Sequence, residues 1–267
     1  MKKRIIFLLM FSISILGCDI FAPPDNPPRT YPTIIRPLSE EELENLQKEF
    51  REINNYLMCS RLDRYGLVEI GRVCSVKNPD IVIEKDEVIE MAKSTLFKNR
   101  RFTNVTDTTN LIIRRATKVS PGRENTHWRI DYFPQQYEGH KVLDTQISLW
   151  AFGNGVYRIN GHWYTDIFIP KEIRVNEAKA KESIIGTEIT WYNAGGEEQI
   201  LTVTKETLTN KPPKRVIVPL HVEDNIELRV AWEIGVSFSL NRNTPYWYVY
   251  VDVMTGELIR IDQLFVT

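Results

Sequence analysis

The chain has 267 residues, of which 42% are hydrophobic, and its 34 basic and 35 acidic residues leave a formal net charge of −1. This near-neutral balance gives no reason to expect nucleic acid or an anionic surface as a partner. The length is enough for one large hydrophobic core or two smaller ones.

The first 18 residues resemble the signal peptide and lipobox of bacterial lipoproteins. A basic start precedes an apolar run that is too short to span a bilayer, and the stretch ends in Ile15-Leu16-Gly17-Cys18. The resemblance implies that residues 1–17 are removed and that lipid on Cys18 anchors the protein in the cell envelope, outside the cytoplasm. It does not distinguish the inner from the outer membrane. The alternative is an ordinary signal peptide in which Cys18 has no role.

The two remaining cysteines, Cys59 and Cys74, form an even pair in a chain that is expected in an oxidising compartment. This favours a disulfide over two free thiols. Neither cysteine belongs to a CxxC pair and the four histidines are scattered, so no metal site is expected.

Residues 18–38 are rich in proline and predict an extended, lipid-anchored linker. Residues 39–84 follow as a region with one helix and a short strand. The helix is expected from Ser39 to Leu57, because Ser39 and Glu42 form a capping box and apolar residues then recur at helical spacing. The short apolar stretch runs from Leu67 to Val76.

Two rounds of a helix followed by antiparallel strands come next. In residues 85–170, a helix over Asp86–Phe97 precedes strands predicted at Leu111–Ala116, Trp128–Phe133, Val142–Phe152 and Val156–Trp163, with a hairpin at Gly153-Asn154-Gly155. In residues 171–267, a helix capped by Asn176 and ending near Gly186 precedes strands predicted at Glu188–Tyr192, Ile200–Thr204, Arg215–Leu220 and a meander across Leu228–Phe265 that turns at Asn241-Arg242-Asn243 and Thr255-Gly256. The pattern predicts an α+β fold with two helix-plus-antiparallel-sheet modules.

Both rounds resemble modules found in the propeptides of thermolysin-like and fungalysin-like metalloproteases. The first resembles the FTP motif through His127-Trp128-Arg129-Ile130-Asp131-Tyr132, Gln135-Gln136-Tyr137-Glu138-Gly139 and Gly155-Val156. The second resembles the PepSY domain through Asn176-Glu177-Ala178, Leu228-Arg229-Val230-Ala231-Trp232-Glu233-Ile234 and Tyr248-Val249-Tyr250-Val251-Asp252 with Thr255-Gly256-Glu257-Leu258. The resemblance implies an FTP-like module over residues 85–170 and a PepSY-like module over residues 171–267. Such propeptides inhibit a protease and assist its folding.

Motifs of catalysis are absent from the sequence, which contains no HExxH, GxSxG or GxxxxGK. No catalytic residue, metal or cofactor is therefore expected, and an enzyme is disfavoured. Together with the resemblance, this predicts a non-catalytic lipoprotein that binds an extracytoplasmic protease or cell-wall hydrolase and inhibits or chaperones it.

Aromatic residues suggest an alternative, a surface module that binds glycan or peptide. One group, Trp150, Tyr157 and Trp163, surrounds the first hairpin, and the other lies on one strand as Trp247, Tyr248 and Tyr250. Aromatic side chains on one face of a sheet would form a ridge for an extended ligand, although each of them alone is typical of a helix-to-sheet core. Trp247 and Tyr248 point to opposite faces, so they cannot both be core if only one face is covered.

Overall fold

The computed structural model describes residues 30–54, 61–72, 82–109, 111–119, 127–192, 195–238 and 246–264. These residues form a mixed α+β fold with many strands and few helices, in agreement with the predicted class. In chain order the elements are β1 (Thr33–Ile35), α1 (Glu40–Asn54), β2 (Arg61–Leu62), β3 (Val68–Arg72), α2 (Lys85–Lys98), α3 (Arg100–Thr103), β4 (Ile113–Lys118), β5 (His127–Tyr132), β6 (Gln136–Tyr137), β7 (His140–Val142), β8 (Ser148–Phe152), β9 (Gly155–Asn160), α4 (Glu177–Ser183), β10 (Glu188–Tyr192), β11 (Glu198–Thr202), β12 (Lys214–Val222), β13 (Asn225–Ser237), β14 (Tyr246–Asp252) and β15 (Leu258–Leu264).

Several predictions concern residues outside the described ranges. These are the signal peptide, lipidation of Cys18, most of the linker, the Cys59–Cys74 disulfide and the turn at Asn241-Arg242-Asn243. None of the helices that the structure describes is long and apolar enough to cross a membrane.

The helix starts follow from local capping, as the sequence predicts. At α1 the backbone N–H of Ser39 donates to the Glu42 carboxylate at 2.9 Å, and the N–H of Glu42 donates to Ser39 Oγ at 3.3 Å. At α4 the side chain of Asn176 accepts from the N–H of Lys179 at 3.0 Å. Each contact satisfies a backbone donor that the first helical turn leaves without a partner.

A six-stranded antiparallel sheet, in the order β2-β3-β9-β8-β5-β4, packs one face against helices. Helix α2 contacts β5, β8 and β9. The core between them contains Phe50, Val88, Leu96, Trp128, Ile130, Leu149 and Ile159. Because side chains alternate along a strand, the other face of this sheet carries the remaining residues of each strand.

A second sheet has the order β15-β14-β13-β12-β7-β6, and β1 also pairs with β13. Its pairs are antiparallel except β7 with β12, which run parallel. Helix α4 and the β10–β11 hairpin cover one end of one face, where the core includes Ala180, Ile184, Ile189, Val203, Val236, Trp247 and Val249. The same sheet face continues under Tyr65, Leu67, Tyr164 and Ile167.

The strand predicted over Val142–Phe152 is divided between the two sheets. Strand β7 ends at Val142 in the seven-stranded sheet, and β8 begins at Ser148 in the six-stranded sheet. Between them Asp144 has a φ of 58°, and Thr145 Oγ1 donates to the carbonyl of Val142 at 2.8 Å, which turns the chain.

The predicted separation into a linker and two modules also differs from the structure. Thr33–Ile35, in the predicted linker, forms β1, and β6 and β7, in the predicted first module, join the sheet of the second. The arrangement of two independent helix-plus-sheet modules is therefore not confirmed. Pairing between strands that are distant in the sequence decides which sheet each short strand joins, and such pairing has no local signal.

Candidate functional site

The face of the six-stranded sheet that points away from α2 carries a cluster of arginines around one tryptophan. On β5, Trp128 and Ile130 enter the core while Arg129 and Asp131 occupy the opposite face. Arg115 of β4 and Trp150 of β8 lie on the same side. Tyr157 and Arg158 of β9 also lie there although they are consecutive, because the pairing of β8 with β9 is irregular at this point and puts both Val156 and Ile159 in the core. We call Arg115, Arg129, Asp131, Trp150, Tyr157 and Arg158 the arginine–tryptophan face.

Trp150 lies between two guanidinium groups. It stands directly across from Arg129 on one neighbouring strand and from Arg158 on the other. The Cζ atoms of Arg129 and Arg158 are 5.2 Å and 4.7 Å from a ring centroid of Trp150. These are cation–π distances, so each cation holds the half-buried indole in place.

The buried carboxylate of Asp131 orients two of the arginines by accepting hydrogen bonds from them. Its carboxylate, 1% exposed, accepts from Arg115 Nη2 at 2.6 Å, Arg129 Nε at 2.8 Å and Ser148 Oγ at 2.6 Å. Burial by itself raises the pKa of this carboxyl, but the hydrogen bonds from Ser148, Arg129 and Arg115 outweigh it and hold the pKa below its ordinary value. Three guanidinium groups and one carboxylate leave the face positively charged.

Tyr157 closes one end of this face. Its hydroxyl lies 3.3 Å from Nδ1 of His127, and the His127 ring stacks on Phe152 with centroids 4.5 Å apart. The face therefore joins aromatic rings to the arginines along neighbouring strands.

A second candidate site is a cleft of about 630 Å³ on the seven-stranded sheet, on the face opposite α4. It is lined by His140 and Lys141 of β7, Lys214 of β12, Glu233 of β13 and Tyr248 of β14, which we call the tyrosine cleft. Tyr248 belongs to a row of rings, with its centroid 5.2 Å from that of Tyr246.

Glu233 is a half-buried carboxylate in this cleft. Burial raises its pKa above the ordinary value, and the charges of Lys141 and Lys214 and a hydrogen bond from Tyr250 only partly oppose the shift. The Tyr250 hydroxyl donates to Glu233 Oε2 at 3.4 Å, which is a long hydrogen bond.

The structure separates the six aromatic residues predicted as a binding surface. Trp150 and Tyr157 lie on the arginine–tryptophan face, and Tyr248 lies in the tyrosine cleft. Trp163 is half-buried elsewhere, where it packs against the helix-side core and lines a crevice with Ile112 and Phe133.

Trp247 and Tyr250 are buried, so the prediction that they lie on an exposed surface is wrong. Trp247 is 1% exposed and meets Trp191 and Phe238 edge to face beneath α4 and the β10–β11 hairpin. Tyr250 is 2% exposed and packs on the other face with Leu143. Both faces of β14 are thus covered at these positions.

Sequence reasoning missed the charged residues of both sites. The alternation in His127–Tyr132 indicates a polar face that contains Arg129 and Asp131, and this signal was available. Placement of Arg158 beside Trp150, or of Lys141 beside Glu233, depends on strand pairing and has no local signal. Among the described residues, no group of three or more His, Cys, Asp or Glu side chains is placed to hold a metal ion.

Comparisons with known proteins find little. No family model matches the chain, and no curated protein matches it. Among solved structures, it is similar to the C-terminal domain of YpeB from Bacillus megaterium, with 10% sequence identity and a TM-score of 0.32 over 86% of this chain and 99% of that one. Similarity at this level carries no argument about function, so the functional argument depends on the surfaces.

Proposed function

We propose that the chain is a non-catalytic binding protein whose arginine–tryptophan face holds an acidic segment of another protein. The observation that carries the proposal is the position of Trp150 between Arg129 and Arg158 on the sheet face that points away from α2. Trp and Arg are the residue types most enriched among those that dominate binding energy at protein interfaces.

Charge favours an acidic partner. Arg115 and Arg129 have side chains 51% and 37% exposed, so their guanidinium groups remain accessible while Asp131 orients them. A guanidinium binds carboxylates in a bidentate manner. Because Asp131 already fixes two of the arginines, less side-chain entropy is lost when a partner binds.

The partner that we propose is an extracytoplasmic protease or cell-wall hydrolase, which the chain inhibits or chaperones. Support comes from the resemblance of the sequence to FTP and PepSY modules of protease propeptides and from the absence of catalytic motifs. The lipobox-like start further supports a protein that is held at the envelope through lipid on Cys18.

The proposal is tested by affinity capture from envelope extracts of the source cells, with the full chain in mild detergent as bait. Mass spectrometry identifies the captured proteins, and the activity of any hydrolase among them is then measured with and without the chain. We expect a protease or wall hydrolase to be captured, and Trp150→Ala and Arg158→Gln to reduce its capture by about ten-fold or more.

Matched controls are Tyr192→Ala, an exposed aromatic on β10, and Arg51→Gln, an exposed arginine on α1. Both should capture the hydrolase as well as the unaltered chain does. Capture without any hydrolase would overturn the proposed partner, and equal capture by the Trp150 variant and the controls would overturn the proposed surface.

A further inference from the structure

The tyrosine cleft lies on a different sheet from the arginine–tryptophan face and contains both cations and a carboxylate with spare hydrogen-bonding capacity. We infer that it binds a carboxylate-bearing saccharide, with the carboxylate at Lys141 and Lys214, hydroxyl groups at Glu233, and the apolar face of the sugar on Tyr248.

Two lysines supply the anion-binding part. Lys214 of β12 lies directly across from Glu233 of β13. Lys141 of β7 lies across from Val216 of β12, which runs parallel to β7. The charges of both lysines act on Glu233, but neither forms an ion pair within 4 Å with an acidic side chain that the structure describes. Both lysines line the same cleft, so they are available to one anionic group.

Glu233 supplies the acceptor. Its contact with the Tyr250 hydroxyl is long, at 3.4 Å, which leaves most of the carboxylate's hydrogen-bonding capacity unused among the described residues. The two oxygens of one carboxylate can accept from several hydroxyl donors, whereas the two lysines suit an anion. An acidic sugar presents both groups in one compact molecule.

Tyr248 supplies the apolar contact. Its half-buried ring lines the cleft and is held at its edge by Tyr246. The volume of about 630 Å³ is in the range of ligand pockets, which are lined by aromatic surface with a few placed polar groups.

The test compares two disaccharides that differ by one carboxylate. N-acetylglucosaminyl-N-acetylmuramic acid carries a lactyl carboxylate, and di-N-acetylchitobiose has the same two-sugar frame without it. Calorimetric titration of the full chain in detergent should show the acidic disaccharide binding about ten-fold more tightly or better, because a charge-assisted contact is lost with the neutral one.

Variants locate the binding. Lys214→Gln and Tyr248→Ala should each weaken the acidic disaccharide by about ten-fold, while Lys179→Gln on the exposed side of α4 and Tyr192→Ala should not change it. Lys214→Gln should leave capture of the proposed protein partner unchanged, which separates this inference from the proposed function.

Three results with the disaccharides would overturn the inference. These are equal affinity for both disaccharides, no binding of the acidic one, and loss of binding that is no greater in the cleft variants than in the controls. Inorganic phosphate is titrated as well, and phosphate binding as tight as that of the acidic disaccharide would show an anion site without saccharide recognition. Thermal unfolding of each variant checks that it is folded.

Discussion

Asp131 is the residue on which the geometry of the arginine–tryptophan face depends. Its carboxylate is buried under the guanidinium groups of Arg115 and Arg129, and Arg129 in turn lies against Trp150. A buried charge of this kind is tolerated because the guanidinium groups and Ser148 satisfy its oxygens. The sheet therefore exposes two ordered cations while it hides the anion that orients them.

We expect Asp131→Asn to lower the free energy of unfolding by about 2 kcal/mol at pH 7, because charge-assisted hydrogen bonds are lost. The folded-state pKa of Asp131 is below its ordinary value, so the ionised group stabilises the fold above the unfolded pKa, and that stability is lost as pH falls through the folded pKa. The difference between variant and wild type should therefore shrink below about pH 4. Urea unfolding at pH 7 and pH 3 measures it.

Asp224→Asn is the matched control for this measurement. Asp224 also pairs with an arginine, Arg64, at 2.6 Å, but its side chain is 81% exposed, so its loss should cost less than about 0.5 kcal/mol. A loss for Asp131→Asn that equals the control, or that stays the same at pH 3 as at pH 7, would contradict the role of the buried carboxylate.

At the scale of the elements, β1 and β14 share one edge of β13. β1 pairs with Ile226–Leu228 and β14 pairs with Ala231–Ser237, which leaves a gap at Arg229 and Val230. Tyr31, just before β1, fills this gap, since its hydroxyl accepts from the N–H of Val230 at 3.1 Å and donates to Asp252 Oδ2 at 2.8 Å. Burial and the charge of Asp252 raise the pKa of Tyr31, so the hydroxyl keeps its proton at neutral pH.

Tyr31→Phe should destabilise the fold by about 1–3 kcal/mol, because the buried N–H of Val230 loses its partner. Hydrogen–deuterium exchange should accelerate at Val230 and across Thr33–Ile35. Tyr192→Phe is the control, since that hydroxyl makes only an exposed contact of 3.3 Å with Glu198. Unchanged exchange at β1 in Tyr31→Phe would show that the hydroxyl does not hold the strand.

Elements were predictable where their signals are local. The capped helices α1 and α4 and the hairpin at Gly153 agree with the sequence patterns, because caps and turns act over three or four residues. The strand over Val142–Phe152 was wrong, because the turn at Asp144 contains no glycine or proline. Asp144 and Gln146 also fall at the polar positions of a strand that alternates with Leu143 and Ile147, so the turn has no clear signal. Trp150 and Trp247 both look like strand tryptophans in the sequence. Strand pairing and the position of α4 decide which of them is buried, and neither has a local signal.

At the scale of the whole molecule, the chain crosses repeatedly between the two sheets. β1 lies in the seven-stranded sheet and β2 to β5 lie in the six-stranded sheet. β6 and β7 again belong to the seven-stranded sheet, β8 and β9 to the six-stranded sheet, and β12 to β15 to the seven-stranded sheet. The core beneath the seven-stranded sheet also combines early and late residues, since Tyr65, Leu67, Val142, Tyr164 and Ile167 lie in it with Ile217, Ile226 and Leu228. Neither sheet is thus made from one continuous part of the chain.

This interleaving predicts that residues 171–267, the part that resembles a PepSY module, do not fold alone. The fragment lacks β1, β6 and β7, and it lacks Tyr65, Leu67, Val142, Tyr164 and Ile167, so one face of its sheet would be exposed to water. Burying a large apolar side chain contributes about 1.5–3 kcal/mol, so five such losses amount to about 7.5–15 kcal/mol, which is as large as the whole stability of an ordinary domain.

Far-UV circular dichroism and a ¹H–¹⁵N correlation spectrum of the fragment test this, with residues 30–267 as the control. We expect the control to give dispersed amide signals and a cooperative thermal transition, whereas the fragment gives neither. A well-dispersed spectrum from the fragment would show that the second sheet folds independently, and β1, β6 and β7 would then be additions to a complete module. A poorly dispersed spectrum would instead show that the two sheets fold together as one unit, because strands from both ends of the chain complete the seven-stranded sheet.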